Sequence, residues 1–410
     1  MTRTEQLTLD GAGADALAAP RAAADAPASA WLAVASLGVG AFATVTTEFL
    51  PIGLLPNIAA TLQVSEGTAG LMVTMPGVVA AIAGPALIVA SGRLDRRSVL
   101  IALSALLVAS NLLAALAPNF ATMLVARLLL GLCVGGFWTF APGATAYLVP
   151  PAQQARAMSY VLTGISVATV AGVPAGSLLS NLIGWRAAFG AAAVVAAIVL
   201  AFQLKLLSPM PPARATKLRD LLTPLVRGGA RMGLLVTLFL VAGHFAAYTY
   251  LTPMLLQVFG QPPAIVTPLL LVYGVAGFVG TFFGGRLAAR GARGIAFITA
   301  ALIAATLLVS AMFGSGLVGG ALVTLAWGIA FGFMPVAMTT WMLEALPDAP
   351  EAGQALLVTA FQVAIASGAL FGGLAVDGVG VSGAMWLGGG LSALAAVLIG
   401  AGASPRRAAA

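Results

Sequence analysis

Apart from a polar first 30 residues, the chain reads as long apolar runs separated by short polar breaks. Twelve such runs occur, at about 31–55, 67–91, 98–117, 120–143, 157–181, 186–206, 232–257, 264–285, 294–313, 316–341, 354–376 and 383–403. A helix that crosses a bilayer needs about 20 mostly apolar residues, because the hydrocarbon layer is about 30 Å thick and the rise per residue is 1.5 Å. The breaks carry turn chemistry: Pro56-Asn57, Pro118-Asn119, Pro150-Pro151, Gly314-Ser315-Gly316 and Pro347-Asp348-Ala349-Pro350. The pattern predicts an all-α polytopic membrane protein of twelve transmembrane helices.

The positions of Lys and Arg set the expected orientation. With the N-terminus inside, 17 of the 19 basic residues fall in cytoplasmic segments; Arg186 falls outside and Arg127 lies within the fourth span. The net charge of +7 therefore reads as an orientation signal, and no nucleic-acid site is expected. Both termini are expected on the cytoplasmic side, with the lipid bilayer as the chain's surroundings. A monomer is expected. The longest basic loop divides the chain into a cytoplasmic tail (1–30), a six-helix bundle (31–206), a linker (207–231), a second bundle (232–403) and a short tail (404–410). The halves echo one another: Gly92-Arg93-Leu94 recurs as Gly285-Arg286-Leu287, Pro51 answers Pro253, and Pro142 answers Pro335. Three matches at equivalent span positions argue for a parallel duplication into two pseudo-symmetric bundles.

Composition agrees. Sixty per cent of residues are hydrophobic, 8% are charged and the mean hydropathy is +1.05, against about 25% charged in soluble domains. Cys133 is alone and inside an apolar run, so no disulfide framework or thiolate metal site can be built on it. No cofactor and no metal are expected, and no cluster of His, Asp and Glu or nucleophile with a base suggests an enzyme.

Charges inside membrane spans are costly and call for a reason. Glu48 lies eight residues before Pro56, about 12 Å inside the outer end at helical rise, and Arg127 lies seven residues after Phe120, about 10 Å inside the same face. A pair at that depth can share a cavity and exchange partners when Glu48 takes a proton; a static ion pair, or Arg127 anchoring helix carbonyls, is the structural alternative. His244, near the middle of the seventh run, is a second proton site or a neutral imidazole bonding across a helix interface. Candidate cavity-wall residues are Thr47, Phe137, Trp138, Phe140, His244, Tyr248, Phe331 and Phe333, with Tyr250 and Thr252 near His244; the aromatics serve equally as packing. Asp95 fits a helix N-cap, Asp377 a solvated position at the outer end of the eleventh span, and Glu344, Asp348 and Glu351 a solvated cytoplasmic loop. Gly172, Pro174 and Gly176 in the fifth span suit a kinked, closely packed helix at the seam of two halves.

Together these features resemble the major facilitator superfamily, and within it the bacterial twelve-span drug:proton antiporters. Gly92-Arg93-Leu94-Asp95-Arg96-Arg97 resembles the signature after the second span, without its second glycine and final basic pair; the repeat ending at Arg290 lacks the Asp. Arg127-Leu128-Leu129-Leu130-Gly131 matches the fourth-span signature, whose Arg is tied to proton coupling. Gly172-Val173-Pro174-Ala175-Gly176 resembles the antiporter signature. Thr47-Glu48-Phe49, Gly184-Trp185-Arg186 and Gly243-His244-Phe245 are similar to a branch exporting arabinose-type sugars, purine ribonucleosides and chloramphenicol. The resemblance implies a proton-coupled exporter of small organic molecules working by alternating access. Proton coupling falls to Glu48 and Arg127, and gating to Gly92, Arg93, Asp95, Arg96, Gly172, Pro174, Gly176, Arg286 and Arg290. Proton-coupled uptake of a metabolite is the alternative.

Overall fold

The computed structural model describes residues 26–90, 94–211, 227–288, 291–313 and 316–402, and the side chains of 88–90 and of Glu351 lie outside that description. Residues 1–25 of the expected N-terminal tail, the C-terminal tail, most of the linker, and Gly92, Arg93 and Arg290 also lie outside the described residues, and the first helix already begins at Ala28, inside the expected tail. Twelve helices are long and apolar enough to cross a membrane. They are α1 (Ala28–Leu62), α2 (Glu66–Leu87), α3 (Arg96–Ala115), α4 (Phe120–Leu148), α5 (Pro151–Ile183) and α6 (Trp185–Leu206) in one bundle. The second bundle holds α7 (Gly228–Tyr248), α8 (Pro263–Ala288), α9 (Ala292–Phe313), α10 (Gly316–Ala345), α11 (Ala352–Val379) and α12 (Val381–Ala401). No strand occurs among the described residues.

Side chains start several of these helices. Ser65 accepts from Thr68 N ahead of α2, Asp95 from Arg97 N at α3, and Asn119 from Thr122 N at α4, each satisfying a first-turn donor. Asp95 is thus the N-cap its position suggested. Its Oδ1 also accepts from Met210 N at 2.9 Å, and Arg96 N donates to Met210 O at 3.0 Å, so the chain leaving α6 is tied to the start of α3.

One boundary differs from the sequence reading. The first helix does not end near Pro56; it runs through Pro51 and Pro56 to Leu62 and closes on Gln63 in the left-handed region (φ 54°). Proline removes a donor but need not end a membrane helix when neighbours satisfy the freed carbonyls. Glu48 is therefore 14 residues, about 21 Å of helix, from the end of α1, where the sequence placed the boundary eight residues on. In contrast, the seventh run is broken. Past Tyr248 it continues as a short turn (Leu251–Pro253) and a π turn (Met254–Val258), with Pro253 at the junction.

The two bundles pack in matching ways through small residues, the usual route to close helix approach in lipid. Gly164 of α5 lies on the Gly38 carbonyl of α1, and Gly368 and Gly372 of α11 lie on the backbone of Ala242 and Ala246 in α7. Gly131 and Gly135 of α4 meet the Pro76 and Ala80 carbonyls of α2, as Gly328 and Gly332 of α10 meet those of Tyr273 and Gly277 in α8. The turns from α5 to α6 and from α11 to α12 are each a single glycine with positive φ, Gly184 (97°) and Gly380 (86°). Equivalent helix pairs and equivalent turns are what a parallel duplication leaves behind.

These contacts predict opposite signs for one substitution at two glycines. Gly164→Ala is expected to lower stability in detergent by about 1–3 kcal/mol, because its Cβ would strike the Gly38 backbone. Gly190→Ala in α6, where nothing lies within 4 Å, is expected to raise it by about 0.5–1 kcal/mol. Thermal unfolding of the purified variants checks both.

Candidate functional site

The site begins with what two prolines do to α1. In an α-helix, residue i donates to the carbonyl of i−4. Pro51 therefore frees the Thr47 carbonyl and Pro56 frees that of Ile52. Both carbonyls have found donors from other helices. Arg127 of α4 donates Nη1–H to Thr47 O at 2.8 Å, and Thr252, just past α7, donates its hydroxyl to Ile52 O at 2.8 Å. The Thr47 hydroxyl donates to Ala43 O at 2.8 Å and accepts from Asn111 Nδ2 of α3 at 3.1 Å.

Arg127 is fully buried, its guanidinium 4.9 Å from the centroid of the Phe189 ring in α6. Its Nε and Nη2 have no hydrogen-bond partner. Glu48, the residue after Thr47, is also buried and accepts from Gln362 Nε2 of α11 at 3.5 Å. Within 4.0 Å the described residues contain one ion pair, Arg227–Asp348 at 2.8 Å, between exposed side chains. Glu48 and Arg127 thus share a level in the membrane, but Arg127 holds the backbone of α1 and leaves the carboxylate to a neutral amide from the other half.

A group of aromatic rings faces this level from the second bundle. His244 of α7 is fully buried and lies against Phe331 of α10 (centroids 4.7 Å apart) and Tyr248 (5.0 Å), which also face each other at 6.1 Å. Trp327 donates its indole N–H to His244 Nδ1 at 3.0 Å, and the Tyr273 hydroxyl of α8 lies 3.5 Å from Nε2. An Nδ1 that accepts carries no proton, so the imidazole here is the neutral Nε2–H form bonding across helix interfaces. Phe49, beside Glu48, stacks on Phe245 at 5.5 Å and meets Tyr248 edge-on at 6.5 Å. Through Phe49 the aromatic group touches α1.

The other sequence-derived candidates go elsewhere. Phe137 and Phe140 are buried inside the first bundle with Leu37, Leu100 and Leu103, and Trp138 packs edge-on against Phe137. Gly40 of α1, with no side chain, admits the Phe137 ring, which turns it away from the His244 group. Phe333 packs on Gly284 of α8. Around Pro174, α5 forms a π turn, Ala168–Gly172, at the seam between the bundles: Thr169 and Val170 press on Gly274 of α8, and Gly172 and Gly176 sit against Thr46 and Leu50 of α1. Arg96 lies over the Tyr147 ring and the exposed Arg286 over Phe282, each within its own bundle.

The residues that join the bundles were mostly not singled out in the sequence. Asp377, expected to be solvated, accepts from the Ser65 hydroxyl at 2.8 Å and from Gly67 N at 3.1 Å, so a carboxylate of α11 caps the start of α2. Glu66 receives Gln257 Nε2 at 3.0 Å, the Tyr250 hydroxyl lies 3.0 Å from Ala369 O and 3.3 Å from Gly67 O, and Ser177 meets Thr267 at 2.9 Å. With Thr252 on Ile52, these bonds all lie toward the end of the molecule distal to the first residues of α1 and the last of α12. Among the described residues, Gln362–Glu48 is the one cross-bundle hydrogen bond below them. The sequence carried a signal for part of this, since Ser65-x-x-Thr68 announces a helix start and Asp377 is an acid with no nearby cation. Gln362 is a neutral residue in an apolar run and announces nothing.

The family model of the Major Facilitator Superfamily matches residues 37–356. The chain belongs to this superfamily. It is a membrane transporter of the multi-pass kind, not an enzyme. Among curated proteins it is similar to the purine ribonucleoside efflux pump NepI of Escherichia coli (strain K12), 34% identical over 388 residues, 94% of this chain and 96% of that one. The pump of that name from Salmonella paratyphi B is 33% identical over 371 residues, covering 90% and 94%. Among solved structures it superposes on a bacterial homologue of the human lysosomal transporter Spinster in an inward-facing, occupied conformation. That match has a TM-score of 0.72 at 15% identity and covers 90% of this chain and 95% of that one. The human organic anion transporter MFSD10 (TETRAN) gives 0.67 at 19% identity, covering 91% and 100%.

In this major facilitator protein the distal bonds must break if that end is to open. Asp377→Ala, which removes the acceptor on Ser65 and Gly67, is expected to raise maleimide labelling of a cysteine placed at Ser177 by roughly fivefold or more, the factor that about 1 kcal/mol supplies. Native Cys133 is buried and can stay. Labelling rates of the purified Ser177→Cys protein with and without Asp377→Ala check this.

Proposed function

We propose that this transporter is a proton-coupled exporter of small, planar, nucleoside-like molecules, exchanging substrate for protons by alternating access. The observation that carries the reading is Glu48: an acid buried at the centre of the protein, with no ion-pair partner, bonded across the boundary between the two bundles. A static structural carboxylate would be expected to have a cation within reach. Arg127 stays one residue away on the Thr47 carbonyl, with Nε and Nη2 unbonded. From there its charge favours the ionised acid without cancelling it. Proton loss from Glu48 leaves an acceptor that a substrate N–H or O–H group can use, and protonation withdraws it. The two ligands therefore compete for one position, which is what exchange requires.

Efflux and the substrate class are supported by the 34% identity to a purine ribonucleoside efflux pump over nearly the whole chain. The rings of Tyr248, Tyr273 and Phe331 lie within about 15–31° of one another, and a flat heterocycle entering between them would stack without needing a charge. The Tyr273 hydroxyl, whose oxygen lies 3.5 Å from His244 Nε2, keeps its own O–H for the edge of such a ring. The distribution of Lys and Arg supports an inner-membrane protein with both termini in the cytoplasm. The bonded distal end then faces outward, and the conformation described is closed to the outside.

The test uses inverted membrane vesicles with an acidified lumen and labelled inosine. Wild type is expected to accumulate inosine and to lose it on addition of an uncoupler. Glu48→Gln is expected to reduce gradient-driven accumulation at least tenfold while retaining inosine binding. Accumulation by Glu48→Gln at the wild-type level sinks proton coupling through Glu48. Accumulation in the opposite vesicle orientation, driven by inward proton flow, would make the protein an uptake symporter instead.

A further inference from the structure

We propose that Gln362 is the residue through which the second bundle reads the protonation state of Glu48, a positioning residue for coupling. The inference rests on the reading of Glu48 as the proton site. Three observations on α11 carry it. First, Gln362 Nε2 is the donor to Glu48 Oε1, and that bond is the central connection between bundles whose other hydrogen bonds, among the described residues, are all distal. Second, Gln362 Oε1 is buried and has no partner. Third, the α11 backbone here lies hard against α2: a Cβ on Gly77 would come within 3.0 Å of the Gln362 carbonyl and of the Ala366 side chain. Ten residues away on α2, Gly67 meets Gly373 in the same manner. The seam between α2 and α11 is therefore a contact of backbone on backbone, and a change felt at Gln362 is felt by the helix that also carries Asp377.

The chemistry follows from what each group can donate. A carboxylate only accepts, so ionised Glu48 takes the amide N–H, a charge-assisted bond stronger than its neutral counterpart. A protonated Glu48 carries a donor, and the acceptor left open beside it is Gln362 Oε1. An amide can answer both states, donating from nitrogen in one and accepting at oxygen in the other. Protonation thus replaces the bond donated by Nε2 with one accepted at Oε1, and gives that buried oxygen the partner it lacks. Around Glu48, the charged group that acts on it is Arg127 of α4. Asn111 of α3 is neutral and committed to Thr47 and to the Leu107 carbonyl, and His244 of α7 is engaged by Trp327 and Tyr273.

The experiment measures inosine transport by inverted vesicles against lumenal pH for wild type, Glu48→Gln, Gln362→Leu and Gln362→Asn. Gln362→Leu removes donor and acceptor, so the ionised carboxylate loses its bond and the midpoint of the pH profile is expected to move by roughly one pH unit to the alkaline side. Gln362→Asn keeps the amide but shortens its reach, and an intermediate displacement is expected. Glu48→Gln is expected to flatten the profile. A Gln362→Leu profile that superimposes on wild type, with that of Glu48→Gln flat, overturns the role of Gln362 and leaves Glu48 as the proton site. A Glu48→Gln profile that keeps the wild-type pH dependence overturns both. Should Gln362→Leu fail to reach the membrane, Gln362→Asn decides alone, and an unshifted midpoint counts against the proposal.

Discussion

A membrane interior offers no water to an orphaned backbone carbonyl, and the centre of this protein is organised by that shortage. The two prolines of α1 leave two such carbonyls 5 residues apart, and each draws a side chain from elsewhere. One fixes Arg127 inside the first bundle. The other brings Thr252 across from the second. Because Arg127 is committed to the backbone, Glu48 is free of a permanent counter-charge and can bond to the opposite bundle.

Glycines bring backbones together both within the bundles and along the seam between them, and the boundary adds a set of exchangeable hydrogen bonds. Within a bundle, glycines bring backbones into contact, as Gly38 with Gly164 and Gly277 with Gly332. Such packing is many weak contacts with no alternative arrangement. Between bundles, the distal connections include a handful of hydrogen bonds that involve Asp377, Tyr250, Thr252, Gln257 and Ser177. Bonds of this sort exchange with water at little cost, each worth about 0.5–1.5 kcal/mol net. Rigid bodies joined by exchangeable contacts are what a rocking motion needs. The chemistry is also unequally divided, with the acid and the arginine in the first bundle and the stacked rings of His244, Tyr248, Tyr273 and Phe331 in the second.

Much of the fold was legible because lipid imposes one rule on every span. The twelve runs, the polar breaks and the N-cap at Asp95 could be read from local sequence. Pro56 misled, since a proline that ends a helix in water is tolerated here by a threonine 196 residues away. Asp377 looked solvated because its partners, Ser65 and Gly67, are more than 300 positions distant. Gln362 was invisible for a different reason. An uncharged residue in an apolar run gives no alarm, although its meaning depends entirely on Glu48 facing it. The candidate aromatics divide in space: His244, Tyr248 and Phe331 meet, whereas Phe137 and Phe140 pack inside the first bundle, where Gly40 leaves room for the Phe137 ring.

The single-glycine turns at Gly184 and Gly380 have a mechanical consequence. One residue between two helices gives no slack, since consecutive Cα atoms are 3.8 Å apart whatever the chain does. Helix α5, whose π turn presses on Gly274 of the other bundle, therefore cannot tilt without carrying α6 with it. Helix α6 shows Val194, Ile198 and Phe202 to its surroundings. Movement at the seam is thus transmitted to a surface that lipid must cover, and the thickness and lateral pressure of the bilayer become part of the energy of changing conformation.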